Sequence, residues 1–169
     1  MSTFHEITPE AFSGNPFEMI NHQWMLVTSG NREKCNTMTA SWGGMGILWH
    51  KNVAYVFLRP QRYTKEFVDR EKRLSLSFLP EQYRPALSCL GKVSGRDEDK
   101  MAKSGLTVAF DNDTPYFAEA DTVFICRAMY AQELSKDCLL EDWIDPRHYP
   151  AHDYHTMYVC DIEKILKKD

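Results

Sequence analysis

Asn52-Val-Ala-Tyr-Val-Phe-Leu58 is rich in β-branched and aromatic residues and predicts a strand. Successive side chains of a strand point to opposite faces of its sheet. Here one face carries Val53, Tyr55 and Phe57, and the other carries Ala54, Val56 and Leu58. Because both faces are apolar, both need cover, as when one fills a barrel and the other lies under a helix or a second subunit.

Four further segments predict strands for the same reasons: Trp24–Ser29, Leu74–Phe78, Asp121–Glu133 and Tyr154–Ile162. Three short helices are predicted between them: one capped by Thr64, one from Pro80 to a left-handed Gly91, and one from Asp97 to Gly105. Strands outnumber helices and do not alternate with them, which disfavours a doubly wound parallel sheet. We predict a mainly β (α+β) fold, an antiparallel barrel with short covering helices, in which residues 1–169 form a single domain.

Composition narrows the partners and the compartment. The chain has 20 basic and 24 acidic residues, a net charge of −4, with both signs interspersed. This balance disfavours nucleic acid and a membrane surface as partners. The five cysteines include no C-x-x-C pair, so we expect free thiols in a reducing compartment. The sequence has neither a long apolar span nor a secretory signal, so we predict a cytoplasmic protein.

The first candidate site is Asn36-Thr-Met-Thr-Ala-Ser-Trp-Gly-Gly44. Small hydroxyl residues and glycines let backbone N–H groups approach a planar polar ligand, and the indole of Trp42 supplies an aromatic wall. This composition suits a flavin or a nucleotide. An ordinary strand with a Gly-Gly turn explains the same residues and remains the alternative.

The second candidate is Arg59-Pro-Gln-Arg-Tyr-Thr-Lys-Glu66. Arg62 and the hydroxyl of Thr64 stand where a strand passes into a helix, so unpaired N–H groups and a guanidinium could converge on one phosphate. In the alternative, Thr64 only caps the helix, and the arginines pair with Glu66 and Asp69.

The remaining candidates are weaker. Gly91–Lys100 is a Gly/Ser turn with basic residues, and it could be no more than a capped helix start. His148, His152 and His155 are interrupted by prolines, which favours a loop that leads into a strand over a metal site. Cys35 is either a reactive thiol or, more commonly, an inert buried one. The hydrolase, zinc-protease and Rossmann motifs are missing from the sequence.

Several segments, taken together and in order, resemble the flavin reductase family with the FMN-binding split-barrel fold, most closely its flavoredoxin-like branch. The segments are Asn36-Thr-Met-Thr-Ala-Ser-Trp-Gly-Gly44, Gly46-Ile-Leu-Trp49, Arg59-Pro-Gln-Arg-Tyr-Thr64, Leu76-Ser-Phe78, Ser94-Gly-Arg-Asp97, Asp99-Lys100, Gly105-Leu-Thr107, Phe117-Ala-Glu-Ala120 and Asp153-Tyr-His-Thr-Met-Tyr158. The chain departs from the family at two places. The family often has Cys-Gly ahead of the Ser-Gly-Arg-Asp motif, whereas here Cys89 precedes Leu90-Gly91. After the final tyrosine, Cys160-Asp161 replaces the usual Gly-Glu.

The resemblance implies a homodimer of split barrels, each holding non-covalent FMN near the subunit interface. It implies that the ring system and ribityl chain contact Asn36, Thr39, Ala40, Ser41 and Trp42. The phosphate end would be held by Arg62, Tyr63 and Thr64, with Lys100 adding a charged or polar contact and His155 approaching the flavin from the last strand.

The implied activity is electron transfer from NAD(P)H or a redox partner, through FMN, to a flavin, a metal complex or a protein. A flavoredoxin-like carrier that does not oxidise NAD(P)H and a non-redox ligand-binding barrel are the alternatives. The sequence assigns no catalytic acid or base. Nicotinamide preference and the final acceptor are not encoded in a readable motif.

Overall fold

The computed structural model describes residues 3–169, and across them the chain forms ten strands. They are β1 (Phe4–Ile7), β2 (Met25–Gly30), β3 (Cys35–Ala40), β4 (Gly43–Leu48), β5 (Lys51–Leu58), β6 (Arg73–Phe78), β7 (Val108–Asp111), β8 (Thr114–Phe117), β9 (Thr122–Glu133) and β10 (Thr156–Lys168). All five predicted strands are present. The last one begins two residues later than predicted and continues past Ile162 to Lys168, pairing there with β1.

The main sheet is antiparallel throughout and follows the order β3-β2-β6-β9-β10-β5-β4, with β1 also paired to β10. Its two end strands, β3 and β4, are consecutive in the chain and are joined only by Ser41 and Trp42. They pair with β2 and β5 respectively and not with each other. The sheet is therefore an open, split barrel, and the split lies at Ser41-Trp42.

Apolar residues form two clusters, one on each side of the sheet. The inner cluster includes Val56, Leu76 and Tyr158. The outer cluster includes Leu26 of the sheet together with Leu87 and Leu90 of the third helix. The prediction for β5 is confirmed on its inner face, where Ala54, Val56 and Leu58 are fully buried. On the outer face Val53 is buried, but Tyr55 and Phe57 stay partly exposed.

Five α-helices lie within the described residues: α1 (Pro16–Glu18), α2 (Tyr63–Glu71), α3 (Arg84–Lys92), α4 (Lys100–Lys103) and α5 (Ile144–His148). A π-helical turn, Met19–Gln23, continues α1. None of these helices combines the length and apolar character that a membrane span needs. In the described part of the chain the five cysteines are all free thiols, as predicted.

The structure corrects the predicted ends of all three sequence-predicted helices. Arg62, not Thr64, occupies the N-cap position of α2, and Thr64 is buried in the first turn. Gly91 does not end α3, which continues to Lys92. A Cβ on Gly91 would lie 3.2 Å from Cβ of Thr39, so this glycine allows the helix to approach β3 closely. Asp99 caps α4, which begins at Lys100 rather than Asp97.

Candidate functional site

The edge strand β3 is fixed to α2 by a buried hydrogen bond. The side-chain amide of Asn36 donates to Oγ1 of Thr64 at 2.8 Å, and both residues are almost inaccessible to water. A Cβ on Gly95 would come within 2.1 Å of Oδ1 of Asn36, so only glycine fits beside this amide. The segment Val93–Gly95 is therefore held directly against the start of α2.

Thr39 fixes the other side of the same strand. Its hydroxyl donates to the carbonyl oxygen of Leu87 at 2.5 Å, which ties β3 to α3. Two cavities open between these elements and share Met38 and Arg62. The first, the Trp42 cavity, measures about 170 Å³ and contains Thr39, Ala40, Ser41, Trp42 and His155 in its wall. The second, the Lys100 cavity, measures about 300 Å³ and contains Tyr63, Thr64 and Lys100.

Nine of the ten site residues predicted from the sequence thus line one of two adjoining cavities. Asn36 lines a third depression, which it shares with Tyr63 and Lys100. Here the strand interpretation of Asn36–Gly44 is correct for most of the segment, because β3 and β4 take all of it except Ser41 and Trp42. The strand and ligand interpretations are compatible, since β3 and β4 are sheet edges.

Ser41 and Trp42 belong to neither strand. In the described structure their N–H groups donate to no acceptor outside the strand ladders. The outer edges of β3 and β4 also lack a neighbouring strand. Backbone N–H groups at this split, beside an indole that is 44% exposed, suit the polar edge of a flat ring system.

Two cations face the Lys100 cavity without a counter-ion. Nη1 of Arg62 donates to the carbonyl oxygen of Gly91 at 2.8 Å. Nζ of Lys100 donates to the carbonyl oxygens of Leu90 and Val93, each at 2.9 Å, and Lys100 is only 4% exposed. Neither forms an ion pair with a carboxylate of residues 3–169.

The electrostatic consequence appears in both side chains. Burial, followed by the charge of Arg62, lowers the pKa of Lys100 to about 8. Burial, followed by the charge of Arg59, also lowers the pKa of Arg62. An anion bound between them would relieve this repulsion, so the donor set fits a phosphate group.

The alternative pairing of the arginines is wrong in detail. Arg59 binds Asp153, with Nη1 2.7 Å from Oδ2, and also donates to the carbonyl oxygen of His148. Glu66 pairs instead with Arg96, and Asp69 pairs with Lys65. The acids near α2 are thus neutralised by other cations.

His155 also lines the Trp42 cavity. Its ring centroid is 5.1 Å from that of Trp42, and its Nδ1 lies 2.9 Å from the hydroxyl oxygen of Tyr149. Burial is the main reason that the pKa of His155 falls to about 4, and the charge of Arg59 lowers it further. The imidazole is therefore neutral near pH 7.

The two other histidines predicted near this site lie in different elements. His148 ends α5 and contacts Trp42 edge-on at 5.2 Å, whereas His152 lies in the following loop beside Tyr154. No cluster of three or more His, Cys, Asp or Glu side chains in the described residues is arranged to hold a metal. Burial raises the pKa of the Cys35 thiol, and Asp99 adds to the effect, so Cys35 is not an activated nucleophile.

Some lining residues had no individual role in the sequence analysis, although Met38, Ser94 and Gly95 lie in segments that it singled out. Met38 and Phe57 enter the site because β3 and β5 present these side chains at the split, and Ser94 and Gly95 enter through the Lys100 cavity. The apolar outer face of β5 was the available signal for Phe57. No pattern in the sequence specified that α3 would bring Ser94 and Gly95 to Asn36.

A family model for the flavin reductase like domain matches residues 17–169, so the chain belongs to the flavin reductase-like family. A search of curated proteins found no match. Among solved structures, flavoredoxin from Methanosarcina acetivorans is 18% identical, with a TM-score of 0.66, over 85% of this chain and 67% of that one.

Two other solved structures have a similar fold. An FMN-binding domain of a flavin reductase-like enzyme from Shewanella baltica OS155 is 14% identical over 98% of this chain and 78% of that one, with a TM-score of 0.72. The NADH:FAD oxidoreductase of Streptomyces globisporus C-1027 is 12% identical over 87% and 78%, with a TM-score of 0.65. At these identities the likeness shows the fold alone.

His155→Gln is expected to make stability less sensitive to acid. In the unfolded chain the imidazole titrates near 6.5, but in the folded chain it titrates at about 4. Between these values the unfolded state binds more protons, so falling pH destabilises the wild type by at most about 3 kcal/mol. Urea unfolding at neutral pH and near pH 4 measures the difference.

The matched control is His22→Gln, because His22 is exposed in a surface turn. This variant should lose as much stability as the wild type over the same pH interval. Equal acid sensitivity of the wild type and His155→Gln would show that the neutral imidazole does not contribute to the pH dependence of folding.

Proposed function

We propose that this chain binds FMN non-covalently and transfers electrons from NAD(P)H or a redox partner to a flavin, metal complex or protein acceptor. The observation that carries the proposal is the pair of cations without a counter-ion, half-buried Arg62 and buried Lys100, beside a cavity whose wall includes the partly exposed indole of Trp42. A ligand with a phosphate at one end and a flat ring at the other satisfies both. Membership of the flavin reductase-like family supports the same ligand.

The phosphate is assigned to the Lys100 cavity. Arg62 offers the guanidinium nitrogens that do not bind Gly91, and Lys100 retains one of its three N–H donors after binding two carbonyls. Tyr63 and Thr64 line the same cavity, where the first turn of α2 adds unpaired N–H groups. The hydroxyl of Thr64 accepts from Asn36 but can still donate its own proton.

The ring system is assigned to the Trp42 cavity. FMN, when bound, supplies the transfer of a hydride or of single electrons. We expect the N–H groups of Ser41 and Trp42 to donate to the polar edge of the ring, where negative charge grows on reduction. The neutral imidazole of His155 adds a hydrogen-bonding group without adding positive charge to this end.

Arg62→Met is expected to raise the dissociation constant for FMN about 10- to 100-fold, because it removes a charged hydrogen bond to the phosphate. Methionine keeps most of the side-chain length and apolar contact. The matched control is Arg96→Met, since Arg96 lies at the same turn but is already paired with Glu66. Isothermal titration of the apoprotein with FMN and with riboflavin measures the effect.

The titration with riboflavin distinguishes a loss of phosphate binding from a loss of ring binding. Riboflavin lacks the phosphate, so Arg62→Met should leave its affinity unchanged. If Arg62→Met binds FMN as tightly as the wild type, the phosphate assignment is wrong. If neither ligand binds the wild-type protein, the flavin function itself is wrong.

The reductase and the flavoredoxin-like carrier differ in their use of nicotinamide. We favour the reductase, with the NADH:FAD oxidoreductase from Streptomyces globisporus as the structural neighbour of that activity. Anaerobic mixing of the FMN-loaded protein with NADH, and separately with NADPH, should bleach the yellow flavin band within the turnover time. Persistent colour with both, followed by bleaching with dithionite, would identify a carrier.

We also propose that the chain forms a homodimer through an apolar surface near the β4–β5 turn. Ile47 and Trp49 are 68% and 56% exposed, and the ring of Trp49 contacts exposed Tyr130 at 6.1 Å. Trp49 and His50 both have positive φ, at 52° and 55°, where Asn and Gly are preferred. A tryptophan in this unfavourable backbone conformation supports a role beyond the turn itself.

Trp49→Asn tests the dimer, because asparagine fits the turn better than tryptophan does. We expect the wild type to scatter light as a dimer and Trp49→Asn to scatter as a monomer of unimpaired stability. Trp143→Asn, at another exposed tryptophan, is the control and should remain dimeric. A wild type that stays monomeric at high concentration would refute the homodimer.

A further inference from the structure

A second and larger pocket adjoins the Trp42 cavity on the far side of the indole. It measures about 720 Å³, which is within the range of small-molecule sites, and it shares Ser41, Trp42 and Phe57 with the Trp42 cavity. Its other wall is formed by residues 15–22 and the start of β4. We call it the Phe17 pocket, after the aromatic side chain at its rim.

The wall of this pocket is preformed. Met19 and Ile20 are buried in the inner apolar cluster and anchor the π-helical turn. The side chain of Asn15 caps the preceding turn by accepting from the N–H of Phe17 at 3.0 Å. Gln23 donates to the carbonyl oxygen of Leu79 at 2.9 Å, so the turn is fixed at both ends. Phe17 itself is 85% exposed at the rim of the pocket.

The charge of the pocket differs from that of the neighbouring cavities. Glu18 is the only lysine, arginine or carboxylate side chain in its wall. By contrast, the cavities assigned to FMN contain Arg59, Arg62, Lys92 and Lys100. A phosphorylated or sulfonated ligand would therefore meet the carboxylate of Glu18 and no lysine or arginine in the Phe17 pocket, where the imidazole of His22 lies 4.0 Å from that carboxylate.

The pocket offers flat apolar walls and backbone donors together. Phe17, Trp42 and Phe57 supply aromatic surface. Gly43 and Gly44 lie on β4, whose outer edge has no neighbouring strand, so N–H groups along that edge are available to carbonyl oxygens. This combination suits a planar ring that carries carbonyl groups but no charge.

We propose that the Phe17 pocket binds an uncharged planar aromatic carbonyl compound, a quinone, as the electron acceptor. The acceptor role rests on the proposed function, whereas binding does not. A quinone that gains two electrons and two protons becomes the hydroquinone. NAD(P)H supplies a hydride and becomes NAD(P)⁺, and solvent supplies the second proton.

Equilibrium dialysis of the FMN-saturated protein tests the site with 1,4-naphthoquinone and its 2-sulfonate. We expect the uncharged compound to bind about tenfold more tightly, because the sulfonate is repelled by Glu18 and loses solvation in the pocket. A tenfold ratio corresponds to about 1.4 kcal/mol. Riboflavin is the second arm, and it distinguishes a flavin acceptor from a quinone acceptor. Equal binding of naphthoquinone and its sulfonate would overturn the proposal.

Two substitutions locate the site and its charge selectivity. Phe17→Ala should weaken naphthoquinone binding about tenfold, whereas Leu140→Ala, at an equally exposed apolar residue elsewhere, should not change it. Glu18→Lys should shift the preference toward the sulfonate, and Glu18→Gln should give an intermediate ratio. Unchanged selectivity in Glu18→Lys would also overturn the proposal.

The other occupants give different results. If Phe17→Ala releases FMN, the pocket holds the cofactor itself and the proposal fails. If Phe17→Ala turns a dimer into a monomer and the wild type binds no naphthoquinone, a second copy of the chain fills the pocket. If the protein binds no FMN, selective naphthoquinone binding to the apoprotein is still measurable, so failure of the proposed function is distinguishable from failure of this site.

Discussion

The buried hydrogen bond between Asn36 and Thr64 is the constraint on which the site depends. β3 is an end strand, and its outer edge has no strand to hold it in place. The amide of Asn36 compensates by joining that edge to the first turn of α2 at 2.8 Å. Because both groups are excluded from water, leaving either one unpaired would cost about 1–3 kcal/mol. The pair thus sets the position of α2 relative to the sheet edge.

That position determines the electrostatics. With α2 held against β3, Arg62 at its N-cap faces the end of α3, where carbonyl oxygens of its last turn accept from Arg62 and Lys100. Carbonyl dipoles solvate the two cations but do not neutralise them, and the charge of Arg62 adds to burial in lowering the pKa of Lys100. The proposed phosphate site is therefore formed by the fold itself. The phosphate assignment follows from the backbone geometry as much as from the side chains.

The sequence predicted the five strands β2, β5, β6, β9 and β10, because β-branched and aromatic runs identify them locally. It assigned no strand to the four-residue β1, β7 and β8, and it gave β3 and β4 as strand only in the alternative interpretation. Helix ends were less predictable. Thr64 has the composition of a cap, but its burial against Asn36 depends on a contact across 28 residues. Gly91 has the composition of a helix stop, yet it is needed inside α3 because Thr39 lies against it. In both cases a tertiary contact determined the position of the residue, against its local conformational preference.

The candidate site shows the same division. Residue types in short motifs suggested Trp42, Arg62 and Lys100, and the structure brings them to adjoining cavities. The Phe17 pocket could not be predicted, because its wall combines a turn near residue 20 with a strand edge that becomes an edge only when the barrel stays open. Nothing in Asn15–His22 alone marks it as part of a site.

The split at Ser41-Trp42 therefore has a chemical consequence. A closed barrel would pair β3 with β4 and bury the backbone donors that the open edges leave available. The open sheet instead places one indole between a cation-lined cavity and an apolar pocket with a single carboxylate. In the function proposed above, a phosphorylated ligand meets cations on one side of this residue, and an uncharged ligand meets apolar surface on the other side. The proposed separation of a phosphorylated cofactor from an uncharged acceptor would then depend on the sheet staying open at this point.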